Sequence, residues 1–420
     1  MKTKTMVNIF SVILLLIFVV SMVKAQGYSD ARSLGMARAY TALARGVDAP
    51  LWNPANLKLP TSKKFSLQLF SLGLRFGNSS FSKHSYDIYN GKYLTSSDFQ
   101  DILDAIPDDG FRLFLDTEIC PPFGFAYGPV ALTFSGVVAS DVRLCKDYFD
   151  LPDGWEENHR YDLGNNNHAE AWGYSTATIS WAHVVKLPKI QKIILGVNFH
   201  YILGLGYGKV LRSWGTFYSG EYADFTEGGI KARMAQGGTG FAMDFGVARE
   251  YHNWTFSLAF SNLISHITWK RKPQEFEAYF YSTEVLTVYS IAENDSIIES
   301  DESTKDISSF STKLPVELRL GAATTWKEIL ISLDYHQGFR ERPGVTTRPY
   351  LAVGSEFSYI GFLPLRLGLG FGGDHKILSA LGFGLKLGFF HFDYGINFNG
   401  ALWPTHAKAL SMAVSSSLRF

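Results

Sequence analysis

The chain has 420 residues, 46% hydrophobic, 15% aromatic and only 19% charged, with lysine plus arginine equal to aspartate plus glutamate at 39 each. Zero formal net charge leaves no broad attraction to nucleic acid or another polyanion. Two cysteines, Cys120 and Cys145, are too few for a disulfide scaffold.

The first 25 residues read as a secretory signal rather than as structure. Lys2 and Lys4 supply a positive start, residues 7–20 are nearly all apolar, and Val23-Lys24-Ala25 offers small residues that set cleavage after Ala25. The apolar run is shorter than the roughly 20 residues of a spanning helix. No cysteine follows the cleavage point to mark a lipoprotein, and no second long apolar run follows, so helical spans are excluded.

Residues 26–64 do not alternate and are rich in small side chains, as in Leu34-Gly35-Met36-Ala37-Arg38-Ala39-Tyr40-Thr41-Ala42. Alanine favours short helices that pack closely. A segment this long without a core of its own must pack on something. In Trp52-Asn53-Pro54-Ala55, Asn53 suits a turn, Pro54 fixes a torsion, Ala55 allows close approach and Trp52 can fill a pocket while donating from its indole.

From residue 65 onward the pattern has period two, the signature of strands with one apolar and one mixed face. Val130, Leu132, Phe134, Val138, Val142 and Leu144 alternate with Ala131, Thr133, Ser135, Ala139, Asp141 and Arg143. Ile193, Leu195, Val197, Phe199, Tyr201 and Leu203 oppose Gly196, Asn198, His200 and Gly204; Leu365, Leu367, Leu369 and Phe371 oppose Arg366, Gly368, Gly370 and Gly372. Arginine on a lipid face at mid-membrane costs about 2–4 kcal/mol, so the mixed set belongs to a lumen. Such segments number about fourteen: 65–76, 111–127, 130–144, 171–185, 191–208, 239–249, 253–269, 314–326, 328–339, 349–359, 364–373, 376–387, 390–399 and 408–420. The fold class is therefore an all-β transmembrane antiparallel barrel, residues 65–420, with a small helical N-terminal luminal plug. Short links near 128–129, 187–189, 251–252 and 361–364 alternate with long ones at 77–110, 146–170, 213–238 and 270–313, which places both termini on the periplasmic side. Trp181, Trp254, Trp269, Trp326 and Trp403 fall near strand ends, as interfacial girdles do. A secreted sandwich or propeller would carry more charge on its outer face.

Pro121-Pro122 interrupts the second strand, because each proline removes a ladder donor. Phe111, Leu113, Leu115 and Ile119 share parity with Phe123, Phe125 and Tyr127, which predicts a kink that keeps the same face outward. With a turn at Gly128-Pro129, Cys120 lies opposite about position 137, so Cys145 is beyond disulfide reach. In the first long loop, residues 97–106 read as a capped helix with Phe99, Ile102, Leu103 and Ile106 on one side. The acidic run at 293–306 reads as a solvated loop. His200, His336 and His391 face inward near Asp334 and Asp393, as polar residues of any lumen do. No hydrolase elbow, zinc spacing or P-loop is present, and the glycine-rich stretches 204–208 and 368–372 read as luminal glycines at alternate strand positions. Neither an enzyme nor a cofactor or metal is expected.

Leu34-Gly35-Met36, Ala39-Tyr40-Thr41-Ala42 and Trp52-Asn53-Pro54-Ala55, placed before a first barrel strand, resemble the N-terminal hatch of the FadL-type outer-membrane transporters of hydrophobic compounds. They also resemble the related PorV-type barrels that serve type IX secretion. The likeness covers the hatch closely and the remainder as architecture. It implies an outer-membrane location, fourteen strands and a hatch seated in the lumen. It also implies either passage of a small hydrophobic compound or a protein-secretion partner with no transported molecule. The first expects an apolar pocket between hatch and wall, the second an extended outer-loop surface. The final strand, ending in Phe420, is similar to the signature read by barrel-insertion machinery, a partner alongside outer-membrane lipid. FadL-type transporters release ligand sideways through a gap at a kinked wall strand, and the resemblance makes Pro121-Pro122 the candidate; a sealed bulge is the competing account.

Overall fold

Alternation dictates the wall. The computed structural model describes residues 29–61, 64–121, 123–150, 159–164, 167–188, 191–219, 224–282 and 298–420. The signal segment and Pro122 lie outside the described residues. Twenty strands form one antiparallel sheet: β1 (Phe65–Asn78), β2 (Phe111–Cys120), β3 (Phe125–Tyr127), β4 (Val130–Leu144), β5 (His159–Asp162), β6 (His168–Leu187), β7 (Gln191–Ser219), β8 (Asp224–Ala235), β9 (Gly237–Tyr251), β10 (Trp254–Arg271), β11 (Gln274–Ser282), β12 (Ile298–Asp306), β13 (Phe310–Thr312), β14 (Glu317–Trp326), β15 (Ile329–Gly338), β16 (Tyr350–Phe357), β17 (Leu365–Gly372), β18 (Ile377–Leu387), β19 (Phe390–Asn399) and β20 (Ala409–Arg419). Counting β2 and β3 as one interrupted strand, fourteen of these make the closed wall, sealed where β1 pairs with β20. Closure removes the free edges that an open sheet would expose.

The two faces separate as the alternation requires. Leu365, Leu367, Leu369 and Phe371 are exposed outward while Arg366 and Gly368 are buried inside. At the closing seam Phe420 exchanges backbone hydrogen bonds with Phe65 at 2.9 and 3.2 Å, and its ring stacks on Phe389 at 5.3 Å.

Four expectations need correction. The loops at 213–238 and 270–313 are in large part strands. The second half of β7 pairs with β8, β8 with β11 and β11 with β12, so a ribbon extends the sheet beyond the wall. One face of β8 and β11 holds cross-strand charge pairs such as Arg233–Glu275 at 2.7 Å, while Ile230, Ala232, Met234, Phe276, Ala278 and Phe280 lie on the other, an alternation weaker than the wall's. The acidic run is likewise strand β12 over its described part. Trp269 is not a girdle residue: it is fully buried inside, its ring 5.4 Å from Tyr207 and its indole donating to Thr312 at 2.9 Å. Finally, a bulge between Gly173 and Tyr174 of β6 and the facing stretch of β7 turns Tyr207 inward. Of the glycines at 204–208, only Gly204 packs in the lumen; a Cβ on Gly208 would meet open space.

The second wall strand is interrupted between Cys120 and Phe125. Ile119 faces Gly136 and Phe125 faces Leu132, so residues 120–124 stand opposite only residues 133–135. Two extra residues preserve parity, and Phe123 remains exposed in the left-handed region at φ 89°. On the other side the seam to β1 persists through Gln68, whose amide donates to Gly124 at 2.7 Å and whose carbonyl accepts from Phe123 at 3.3 Å. The ladder is thus open toward β4 and held toward β1.

In the first loop, the helix Ser96–Ala105 starts at Thr95, which exchanges capping bonds with Asp98. It buries Leu103 and Ile106.

Cys120 and Cys145 are both buried and are not bonded to each other. Nine residues separate Cys145 from Gly136, which pairs beside Cys120. At about 3.3 Å per residue the gap far exceeds the span of a disulfide. Burial pushes the Cys145 thiol up to about 11, so it is protonated at neutral pH. Non-reducing mass spectrometry is expected to find two free thiols; a Cys120–Cys145 cross-link would contradict the register.

Candidate functional site

The site is the seat of the hatch. Residues 29–59 run inside the barrel as short turns: Ala31–Leu34 and Ala49–Trp52 are helical, and Gly46–Asp48 and Pro54–Lys58 are 3-10 turns. Asp30 caps the first by accepting from the Ser33 amide, and Asn53 caps the last by accepting from the Ala55 amide at 2.9 Å. Too short to be stable alone, these turns take their stability from the wall.

Luminal glycines make room for them. A Cβ on Gly196 would lie 2.1 Å from the Ala55 nitrogen, on Gly368 2.4 Å from the Ala37 nitrogen, and on Gly395 2.3 Å from the Ala31 carbonyl oxygen. Gly354 and Gly382 receive Met36 and Gly35 in the same way. The wall is bare where the hatch backbone touches it.

Polar groups fix the register of that contact. Asn53 donates to the carbonyls of Val247 and Leu258 at 3.0 and 3.1 Å, and the Tyr40 and Thr41 amides both donate to Asp334, at 3.1 and 2.7 Å. Asn198 and Arg319 hold the carbonyls of Pro50 and Leu51, each at 2.8 Å. Trp52 is buried, donates to Asp30 at 3.0 Å, meets Tyr40 edge-on at 5.7 Å and lies under the Arg319 guanidinium at 5.0 Å. Burial, then the nearby Asp48 carboxylate, push the Asp30 carboxyl well above the usual carboxylate range. Gly35, Met36, Tyr40, Trp52, Asn53, Pro54 and Ala55 are all buried against one another or the wall. Pro121 lies at the edge of the wall break.

A charge cluster that sequence reasoning did not single out clamps the hatch. Glu356 accepts from Arg32 at 2.8 and 3.1 Å and from Arg366 at 2.8 Å; Arg366 also pairs with Asp393 at 2.6 Å, and Lys386 approaches Glu356 at 3.5 Å. The available signal was Arg32 within a small-residue segment, matched by charges on glycine-rich inward faces.

Beside the hatch tip lies a narrow recess with a cavity of about 20 Å³. Pro50 and Leu51 form one side, and Thr133, Ser135, Val137, Tyr174, Thr176, Thr178, His200, Ile202, Ala242, Asn262 and Leu314 the others. Its lining is mixed rather than uniformly apolar. Val137, Tyr174, Ile202, Ala242 and Leu314 also belong to an apolar cluster with Trp172, Tyr207 and Trp269. Thr133 and Ser135 are the residues opposite the proline break. Three strands supply a polar chain at its wall: Thr178 Oγ1 is 2.7 Å from His200 Nδ1, and His200 Nε2 is 2.7 Å from Asp244. Among the described residues, no group of three or more His, Cys, Asp or Glu side chains is placed to hold a metal.

A closed fourteen-stranded barrel with an N-terminal hatch in its lumen is the fold of FadL-type outer-membrane transporters. The P. putida toluene transporter TodX is 11% identical, with 92% of this chain and 98% of that one covered at a TM-score of 0.50. The deltaS2 mutant of the TodX monoaromatic hydrocarbon channel superposes at 0.51 with 9% identity and the same coverage, and a Pseudomonas aeruginosa FadL homologue at 0.48 with 12% identity over 95% and 99%. At such identities the likeness is one of fold. No protein-family model and no curated protein sequence matches the chain.

Proposed function

We propose that the chain resides in the outer membrane and passes small apolar compounds across it, with both termini and the short turns on the periplasmic side. One observation carries the reading: the recess at the hatch tip joins an aromatic luminal cluster on one side and the interrupted β2/β3–β4 ladder on the other. The hatch obstructs the axial path, so a compound that reaches the recess leaves toward the break. Outward apolar residues there, Ile119, Phe123 and Phe125, would receive it into lipid. In this reading Phe420 also serves as the mark for barrel insertion.

Replacing Pro121 with Val and Pro122 with Thr restores two ladder donors and is expected to close the break. Uptake of labelled toluene by cells bearing a correctly inserted, heat-modifiable double variant should fall about tenfold, as closing one step by ~1.4 kcal/mol would give. Undiminished uptake would make the break a sealed bulge and remove the lateral exit.

A further inference from the structure

Resting on that reading for what is carried, we infer that residues 339–349, the connection between β15 and β16, form a gate over the outer mouth of the barrel, held shut by Arg342 on Glu170. The connection does not simply follow the rim between its own two strands. Four wall strands, β7, β9, β10 and β14, stand between β6 and β15, and the Arg342 guanidinium reaches past them to a carboxylate at the outer end of β6.

The strap is built to keep its shape. At its tip, Arg342 and Val345 exchange backbone hydrogen bonds at 3.1 and 2.9 Å around Pro343-Gly344, and the φ of 80° at Gly344 is that of the third position of a type II turn. Glu341 accepts from the Thr346 hydroxyl at 3.2 Å and from the amide and hydroxyl of Thr347 at 3.2 and 3.0 Å. These bonds lie within the strap and travel with it. Phe339 donates to the Val316 carbonyl at 3.0 Å and Gly373 to the Pro349 carbonyl at 2.9 Å, both at the roots, where a hinge would lie.

The latch is made so that it can part. Glu170 is buried, accepts also from the Tyr207 hydroxyl at 2.9 Å and lies 3.6 Å from the Lys209 ammonium. When Arg342 leaves, the carboxylate keeps both and is not stranded as a lone buried charge. Arg342, now 5.8 Å from the centre of the Trp172 ring, passes into solvent. The strap therefore has two tolerable positions. Down, it covers a cavity of about 80 Å³ lined by its own Val345, Thr346 and Arg348, by Arg38 of the hatch and by Leu378 of β18. A cavity of about 150 Å³ takes one benzene, so an aromatic ring finds room there only once the strap has lifted.

The test reads access to that cavity rather than transport. In the full barrel carrying Cys120→Ala, Cys145→Ala and Leu378→Cys, purified in detergent, a sulfonated maleimide is larger than the covered space and reaches the introduced thiol when the strap is up. Adding Arg342→Ala is expected to raise the labelling rate at least about tenfold, and adding Glu170→Gln to raise it in the same direction. Arg340→Ala, at an exposed arginine of the same strap, should leave the rate unchanged. Heat-modifiability confirms that each variant is a folded barrel. A rate unmoved by both latch variants, or raised as much by Arg340→Ala, would overturn the inference. Latch-dependent labelling in a barrel that takes up no toluene would leave the gate standing and count against the transport reading alone.

Discussion

Deletion of residues 29–60 is expected to leave a barrel that still folds and shifts its electrophoretic mobility on heating, but whose ion conductance in planar bilayers rises at least about tenfold. The wall closes on itself through β1 and β20. No hatch residue belongs to that ladder, and the outward apolar face is complete without it. What deletion removes is the filling of the lumen. Asp334, Asn198, Arg319 and Glu356 then lose their hatch partners and gain water, which satisfies them at modest cost because a flooded lumen is not a dry interior. An unchanged conductance would mean that the hatch does not obstruct the pore.

Glu356→Ala should approach the same open state without removing a residue of the hatch. Glu356 is nearly inaccessible and faces Arg32 of the hatch together with Arg366 and Lys386 of the wall. Removing it leaves like charges buried side by side, and breaking a buried pair from one side costs about 3–5 kcal/mol. The hatch yields before the wall does. Arg32 can swing out with the turns that carry it, whereas Arg366 is fixed in β17 and retains Asp393. The expected result is raised conductance with an intact barrel and a lowered urea midpoint for hatch release. Arg32→Ala should cost less, since Arg366 and Lys386 still pair with Glu356. The double variant should be less than additive. Additivity would show that the two side chains do not act as a pair.

The wall could be read from sequence because lipid and lumen impose opposite demands on successive residues. Phe371 and Arg366 are sorted by parity alone. Where that demand lapses, the reading lapses with it. Strands β8 and β11 keep only a weak alternation, Ile230, Ala232, Met234, Phe276 and Phe280 opposite Lys231, Arg233, Glu275 and Glu277, and β12 after Ile298 has none. Trp269 went to the wrong face because residue type was weighed above parity. Even positions of β10 from Trp254 to Phe260 face out, and that count already turns 269 inward. The hatch motif could be read as turns: Asn53 and Pro54 do locally what their chemistry dictates. The clamp and the recess could not. Thr178, His200 and Asp244 sit on three strands, and only register brings them within 2.7 Å of one another along the chain. Arg32 reveals its role only beside Glu356.

That last pair spans 324 residues, and the Tyr40 and Thr41 amides reach Asp334 across 294 and 293. Segments earliest in the chain find their anchors on strands laid down almost last. Loop-closure entropy grows only slowly with separation, so distance itself costs the finished molecule little. Its effect is on the order of events, since long-range contacts form late. Until β15 to β17 are in place the hatch holds only to earlier strands such as β7, β9 and β10 and lacks its Asp334 and Glu356 anchors, so the barrel passes through a loosely plugged stage before it seals. The protein acquires its tightness to ions after it has acquired its shape.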